Sequence, residues 1–234
     1  NGLLIGRAVT GLAAGTWVPL VAVFSSLFPP EEAVRASSLL TLVGSIARVL
    51  ATSANGPLNQ WGGYPLAFFL VAGAAAVAIF IVLPIRDQVR PPKRPSLKST
   101  GALIVRRDVL LPSALSAVGQ YANWAATYGF IPILAKQLGA TDITQSILLS
   151  MNLLVATFGN LIATTVVNRI GAQRMVYATF VVVALGLAGA AFAHSLPLLF
   201  VAQFCVGLSQ GIGYPVLMGM SIRHVADGER TTAM

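Results

Sequence analysis

Cysteine is nearly missing from this sequence. Cys205 stands alone, which excludes an internal disulfide and a cysteine-built metal cluster. Acidic residues are scarce too: Glu31, Glu32, Asp87, Asp108, Asp142, Asp227 and Glu229 all lie in joints or at the ends of apolar runs. No metal site and no cofactor is expected. Lysine is confined to Lys93, Lys98 and Lys136, again in joints or at a helix end, which excludes a retinal Schiff base in the last helix. Charged residues make up only 9% of the chain. A soluble domain carries about 25%, so an ordinary soluble fold is excluded as well.

What the sequence does have is apolar length, with 56% of its residues hydrophobic. Seven segments, about 2–28, 34–57, 64–85, 109–135, 143–167, 174–193 and 196–222, are mostly apolar and long enough to cross a bilayer. The expected class is an all-α integral membrane protein. Short joints such as "NQWGG", "KQLGATD" and "NRIGAQR" carry turn residues. The joint at 86–108 is long, basic and proline-rich, and reads as a linker between two helical bundles. The net charge of +8 does not point to nucleic acid, because most of the positive charge lies between apolar runs. Taking the loops alternately, one side holds Arg35, the linker cations, Arg106, Arg107, Arg169, Arg174, Arg223 and Arg230, while the other holds Lys136. The basic side, and the linker with it, is expected to be cytoplasmic.

Two arginines fall inside apolar spans. Such a charge costs about 2.5–3.5 kcal/mol at a helix centre on insertion scales, so Arg7 and Arg48 need a polar cavity or carbonyl partners. Polar residues at spacings of three and four mark a face on several spans. Arg7 and Trp17 lie on such a stripe in the first span, and Arg48 and Asn55 in the second. Gln120, Asn123, Trp124, Thr127 and Tyr128 follow in the fourth, and Gln203, Gln210 and Tyr214 in the last. Such faces should turn away from lipid and line a substrate cavity, or hydrogen-bond between helices.

An internal repeat is also visible. "GLAAGTWVP" (Gly11 to Pro19) and "GLSQGIGYP" (Gly207 to Pro215) share two glycines, a leucine and a proline at one constant offset. Their glycines are small-xxx-small spacings that let helices approach closely. "GLSQG" also fits the G-x-S-x-G nucleophile elbow, but that motif needs a preceding strand and a nearby base. Ser209 sits in an apolar helical run, and no hydrolase is expected. The copies are six spans apart and so cross in the same direction, the parallel plan of some transporters.

With these features the sequence resembles the major facilitator superfamily. "RAVTGLAAG" is similar to its arginine–glycine motif through Arg7, Gly11 and Gly15. "NRIGAQR" resembles its loop signature through Arg169, Gly171 and Arg174, with Asn168 in place of the aspartate. Gly56–Pro57 resembles the core of the antiporter motif, although Asn59 and Gln60 stand near the place of its further glycine pair. "SIRHVADGERTTAM" resembles the loop after helix ten.

The resemblance implies a major-facilitator-type bundle with seven of twelve helices in this chain, helices four to ten. Residues 1–85 would end the N-terminal half, 86–108 form the linker and 109–234 begin the C-terminal half. It implies a secondary transporter, not an enzyme, that works by alternating access and is monomeric when complete. The expected location is the plasma (inner) membrane. The incomplete antiporter motif leans toward an ion-coupled efflux antiporter of the drug:proton kind. A symporter or uniporter for a sugar, amino acid or organic anion is the alternative, and a seven-helix receptor a remote one. Arginines and no acids within the spans favour a neutral or anionic small-molecule substrate. The coupling ion would be a proton or another cation, and a coupling carboxylate would lie outside these spans.

Overall fold

The computed structural model describes residues 2–17, 20, 24, 33–84, 101 and 105–222. Pro19, most of the linker 86–108 and the segment 223–234 lie outside the described residues. The described chain is helical: α1 (Gly2–Ala14), α2 (Ala33–Val82), α3 (Arg107–Trp124), a π-helical segment (Ala125–Phe130), α4 (Ile131–Gln137), α5 (Asp142–Ile170), α6 (Ala172–Ala191) and α7 (Leu196–Ile222). Two compact units divide at Arg48/Val49, within α2.

In the first unit, Thr10 returns its hydroxyl to the Gly6 carbonyl, and Arg48 Nε donates to Gly44 O at 3.2 Å. Both are bonds to the residue's own helix. The Trp17 indole lies against Gly44, where a β-carbon would sit 3.5 Å from the ring.

The second and third expected spans are two helices of α2 that meet at a kink, with the "NQWGG" joint reduced to one non-helical residue. The break is confined to Gly63, at φ 69 and ψ −178, just before Tyr64 and Pro65. Pro65 then falls in the first turn of the following helix, where its missing N–H needs no partner. Glycine takes up the turn of the backbone at the kink. Leu42–Val82 is 41 residues long and apolar, enough at 1.5 Å per residue to cross a bilayer twice. Asp142–Ala163, Ala172–Ala191 and Leu196–Ser221 complete the four spans of sufficient length and hydropathy among the described residues.

Helicity also continues from Arg107 to Gln137 through the π-segment, where Ile131 N–H donates to Ala126 O, five residues back. Pro132 explains the widening. It cannot donate to the Tyr128 carbonyl and its ring crowds that turn.

In the second unit α7 is central, packed on α5, α6 and α3. Small residues set these contacts. A β-carbon at Gly207 would lie 2.6 Å from Asn152 O, and one at Gly211 would fall inside the Ala156 carbonyl. On α6, a β-carbon at Gly186 would lie 3.0 Å from Ala202 O. The packing reading of "GLSQG" therefore holds. Ser209 donates to Thr179 O at 3.0 Å, which commits its hydroxyl to a neighbouring helix.

Apolar side chains gather at two levels. Ala126, Ile131, Leu148, Ala190, Leu199 and Ala202 fill one, and Met175, Val176, Val216 and Leu217 the other. The outer faces are apolar and exposed, as at Phe130, Ile147, Leu185 and Val201. Such a surface suits lipid and would be a liability in water.

Candidate functional site

The second unit also buries a layer of polar side chains. Asn123, Thr127, Asn152, Thr179, Gln203 and Ser209 are all buried there, with Asn152 and Gln203 fully so. The layer follows from antiparallel register. Gln120 and Asn123 of α3 line one small cavity with Gln210 and Gly213 of α7, while Ile131 packs with Leu199 and Ala202. Thr127 is buried in the π-segment next to Ala126, which belongs to the first apolar cluster. Asn152 lies one turn beyond Leu148 on α5 and donates to the Gln203 carbonyl at 3.1 Å.

The cavity holds about 30 Å³ and is lined from α3 by Ser116, Gln120 and Asn123, from α6 by Thr179, Phe180 and Val183, and from α7 by Ser209, Gln210 and Tyr214. That is room for a water or two. Of its lining, Gln120 Oε1 and Asn123 Oδ1 are buried with no partner among the described residues; elsewhere in the bundle the same holds for Thr127 Oγ1, Asn152 Oδ1 and both amide atoms of Gln203.

The structure thus divides the residues expected to share one cavity-facing stripe. On the fourth span Asn123 and Thr127 turn into the bundle, whereas Trp124 and Tyr128 are exposed, their rings 5.5 Å apart edge to face. Gln203 is fully buried, Gln210 half-buried and Tyr214 exposed. Arg7 and Asn55 are exposed on their helices, and no atom lies within 4 Å of a β-carbon built at Gly11. At Gly15 the nearest atom is the Leu12 carbonyl of its own turn, at 3.2 Å.

Gly56 is buried, and α2 meets α5 there. A β-carbon at Gly56 would lie 2.8 Å from Asp142 O and Ser146 Oγ and 2.9 Å from Ile143 Cα. Polar bonds flank this approach. Asn59 Nδ2 donates to Asp142 Oδ2 at 2.6 Å, and Ser150 Oγ lies 3.0 Å from Thr52 Oγ1 and 2.9 Å from Ser53 Oγ. Pro57 is half-buried beside them.

The loop signature sits at the opposite end of α5. Gly171, at φ 89, closes α5 with its N–H on Val167 O and opens α6. Asn168, Arg169 and Arg174 are exposed around it. Gly171 and Arg174 share a cleft of about 550 Å³ with Arg107 and Asp108.

Asn152, Thr179, Ser146 and Ser150 did not stand out in the sequence. Ser146 and Ser150 are four apart and Asn152 follows in an apolar run, the same signal that marked the other spans.

An apolar exterior, buried polar side chains and four helices long enough to cross a bilayer define a polytopic membrane protein. A family model described as Major Facilitator Superfamily matches residues 1–119 and 113–234, and the chain belongs to that superfamily of membrane transporters. Neither the curated proteins nor the solved structures contain a match to it.

Proposed function

We propose that this chain is part of an ion-coupled antiporter that exports small organic molecules by alternating access. It would supply helices four to ten, with residues 1–85 in one half, 109–234 in the other, and 86–108 as a cytoplasmic linker at the plasma (inner) membrane. The observation that carries the reading is the meeting of α2 and α5 at Gly56. Helices from either side of the linker touch there through a glycine and through small hydroxyl, amide and carboxylate groups. Such a contact can open, because water replaces each hydrogen bond it loses.

Trp124 and Tyr128, exposed beside the π-segment, are the residues we assign to substrate contact, with Gln120, Gln210 and Tyr214 behind them. Arg7 and Arg48, with no acid inside the spans, favour neutral or anionic solutes.

The test is transport by membrane vesicles of both orientations carrying the protein, offered neutral, anionic and cationic organic probes under imposed ion gradients. Exchange of a neutral or anionic probe against an inward ion gradient is expected. Co-directional movement of probe and ion would replace antiport by symport, and gradient-independent equilibration would replace it by uniport.

A further inference from the structure

We propose that the cleft at the basic end of the second unit binds an anionic phospholipid, its headgroup phosphate held by Arg107 and Arg174. The walls come from four helices: Arg107 and Leu111 of α3, Ile170 of α5, Arg174 of α6 and Met220 of α7. Positive charge is left over in this cleft. Asp108 lines it too, but that carboxylate is taken by Arg106, whose Nη2 and Nε donate to it at 2.6 and 3.2 Å. Arg107 and Arg174 make no ion pair or side-chain hydrogen bond among the described residues. Asn168 and Gly171 are neutral, so the turn between α5 and α6 brings no acid to the cleft. The first turns of α3 and α6 also border it, and neither helix has a side-chain cap at its N-terminus. Their backbone N–H groups add to the positive potential of the two guanidinium groups.

The chemistry narrows the occupant. Guanidinium groups pair bidentately with phosphate oxygens, so two arginines without carboxylates suit a phosphodiester. The rest of the lining favours a phosphate that carries a lipid. Leu111, Ile170 and Met220 are apolar. A free anion would leave them against water, whereas a lipid would lay the start of an acyl chain over them. Position agrees with this. One span begins at Ala172 and another ends at Ser221, so the cleft lies where the apolar spans give out, at the depth of lipid headgroups. Its volume of about 550 Å³ falls within the range of ligand pockets, about 300–1,000 Å³. Basic pockets between membrane helices are general sites for anionic headgroups. A single bound lipid would touch the ends of four helices and tie the start of α3 to the turn between α5 and α6. Binding does not depend on the direction or coupling of transport.

The test titrates short-chain phosphatidylglycerol into the detergent-purified protein and follows bound lipid by native mass spectrometry, with the unfolding midpoint alongside. Saturable binding and a rise in midpoint are expected, with phosphatidylcholine of the same chain length weaker by about tenfold or more. Arg107→Gln and Arg174→Gln together should weaken phosphatidylglycerol by about tenfold or more. Arg174→Gln alone, expected to weaken it about fivefold, keeps the test decisive if the double variant does not fold. Lys136→Gln removes one exposed charge at the opposite end of the bundle and should leave the affinity unchanged. Equal binding of phosphatidylcholine would overturn the proposal. So would phosphatidylglycerol binding that the arginine variants leave intact, or that Lys136→Gln weakens as much as they do. Inorganic phosphate or glycerophosphate that binds as tightly as the lipid would overturn it too, and assign the cleft to a soluble anion.

Discussion

Alanine at Gly56 perturbs the α2–α5 contact at its tightest point. The new β-carbon would meet Asp142 O and Ser146 Oγ at 2.8 Å and Ile143 Cα at 2.9 Å. Two of these three atoms are backbone, so the strain cannot be relieved by turning a side chain. The helices must separate by roughly half an ångström, and a gap of about 0.5–1 Å forfeits a quarter to a half of each dispersion contact. The same separation stretches the Asn59–Asp142 bond of 2.6 Å and the Ser150 bonds of 2.9 and 3.0 Å. Overpacking costs about 1–3 kcal/mol, and weakening a few polar bonds adds up to about 1 kcal/mol. Alanine returns less than about 1 kcal/mol through helix propensity. The net loss of about 2 kcal/mol corresponds to a fall of about 4–8 °C in the unfolding midpoint of the detergent-purified protein. Gly73→Ala, beyond the Gly63 kink of α2 and with nothing within 4 Å of its β-carbon, is the control and should move the midpoint little. Equal midpoints for Gly56→Ala and the parent would refute the close approach, and an equal fall for Gly73→Ala would show that the loss is not specific to this contact.

Gly211→Ala should be more severe than Gly56→Ala, because its β-carbon falls inside the Ala156 carbonyl; the measure is the yield of folded protein in the membrane fraction, with Gly219→Ala as an open-space control. Asn59→Ala and Asp142→Ala, alone and together, should give a coupling energy of about 1.5–2 kcal/mol for a charge-assisted bond, measured by a double-mutant cycle on thermal stability; additive losses would show that the two side chains do not interact. Trp124→Ala should reduce transport of the vesicle probe at least tenfold with little change in midpoint, since its ring is 61% exposed. Asn123→Ala, one residue earlier but buried, should lower the midpoint instead.

The spans within Leu42–Val82, Asp142–Ala163, Ala172–Ala191 and Leu196–Ser221 were readable from sequence because hydropathy reports the solvent of a helix and needs no knowledge of its neighbours. Facing does need that knowledge. A stripe at spacings of three and four joined Asn123, Trp124, Thr127 and Tyr128, yet Asn123 and Thr127 turn inward while Trp124 and Tyr128 do not. Adjacent residues are about 100° apart on a helix, so a stripe read four residues deep already spans the boundary between core and surface. The π-segment then shifts the phase, and only Pro132 hinted at it. The repeat shows the same limit for glycine. Gly11 and Gly207 match in motif, but a β-carbon at Gly207 meets Asn152 while one at Gly11 meets nothing within 4 Å.

Between the second and third spans the sequence pointed to a joint at "NQWGG", and the break falls there, at Gly63. Its length was not legible, because one residue at positive φ is enough to part the two helices. Asn152 carries the most consequence. In the sequence it is one amide in an apolar run, with nothing to mark it as an interhelical tie. The structure supplies the partner: its nitrogen donates to the Gln203 carbonyl of α7, a bond that depends on how two helices face and not on the period of one.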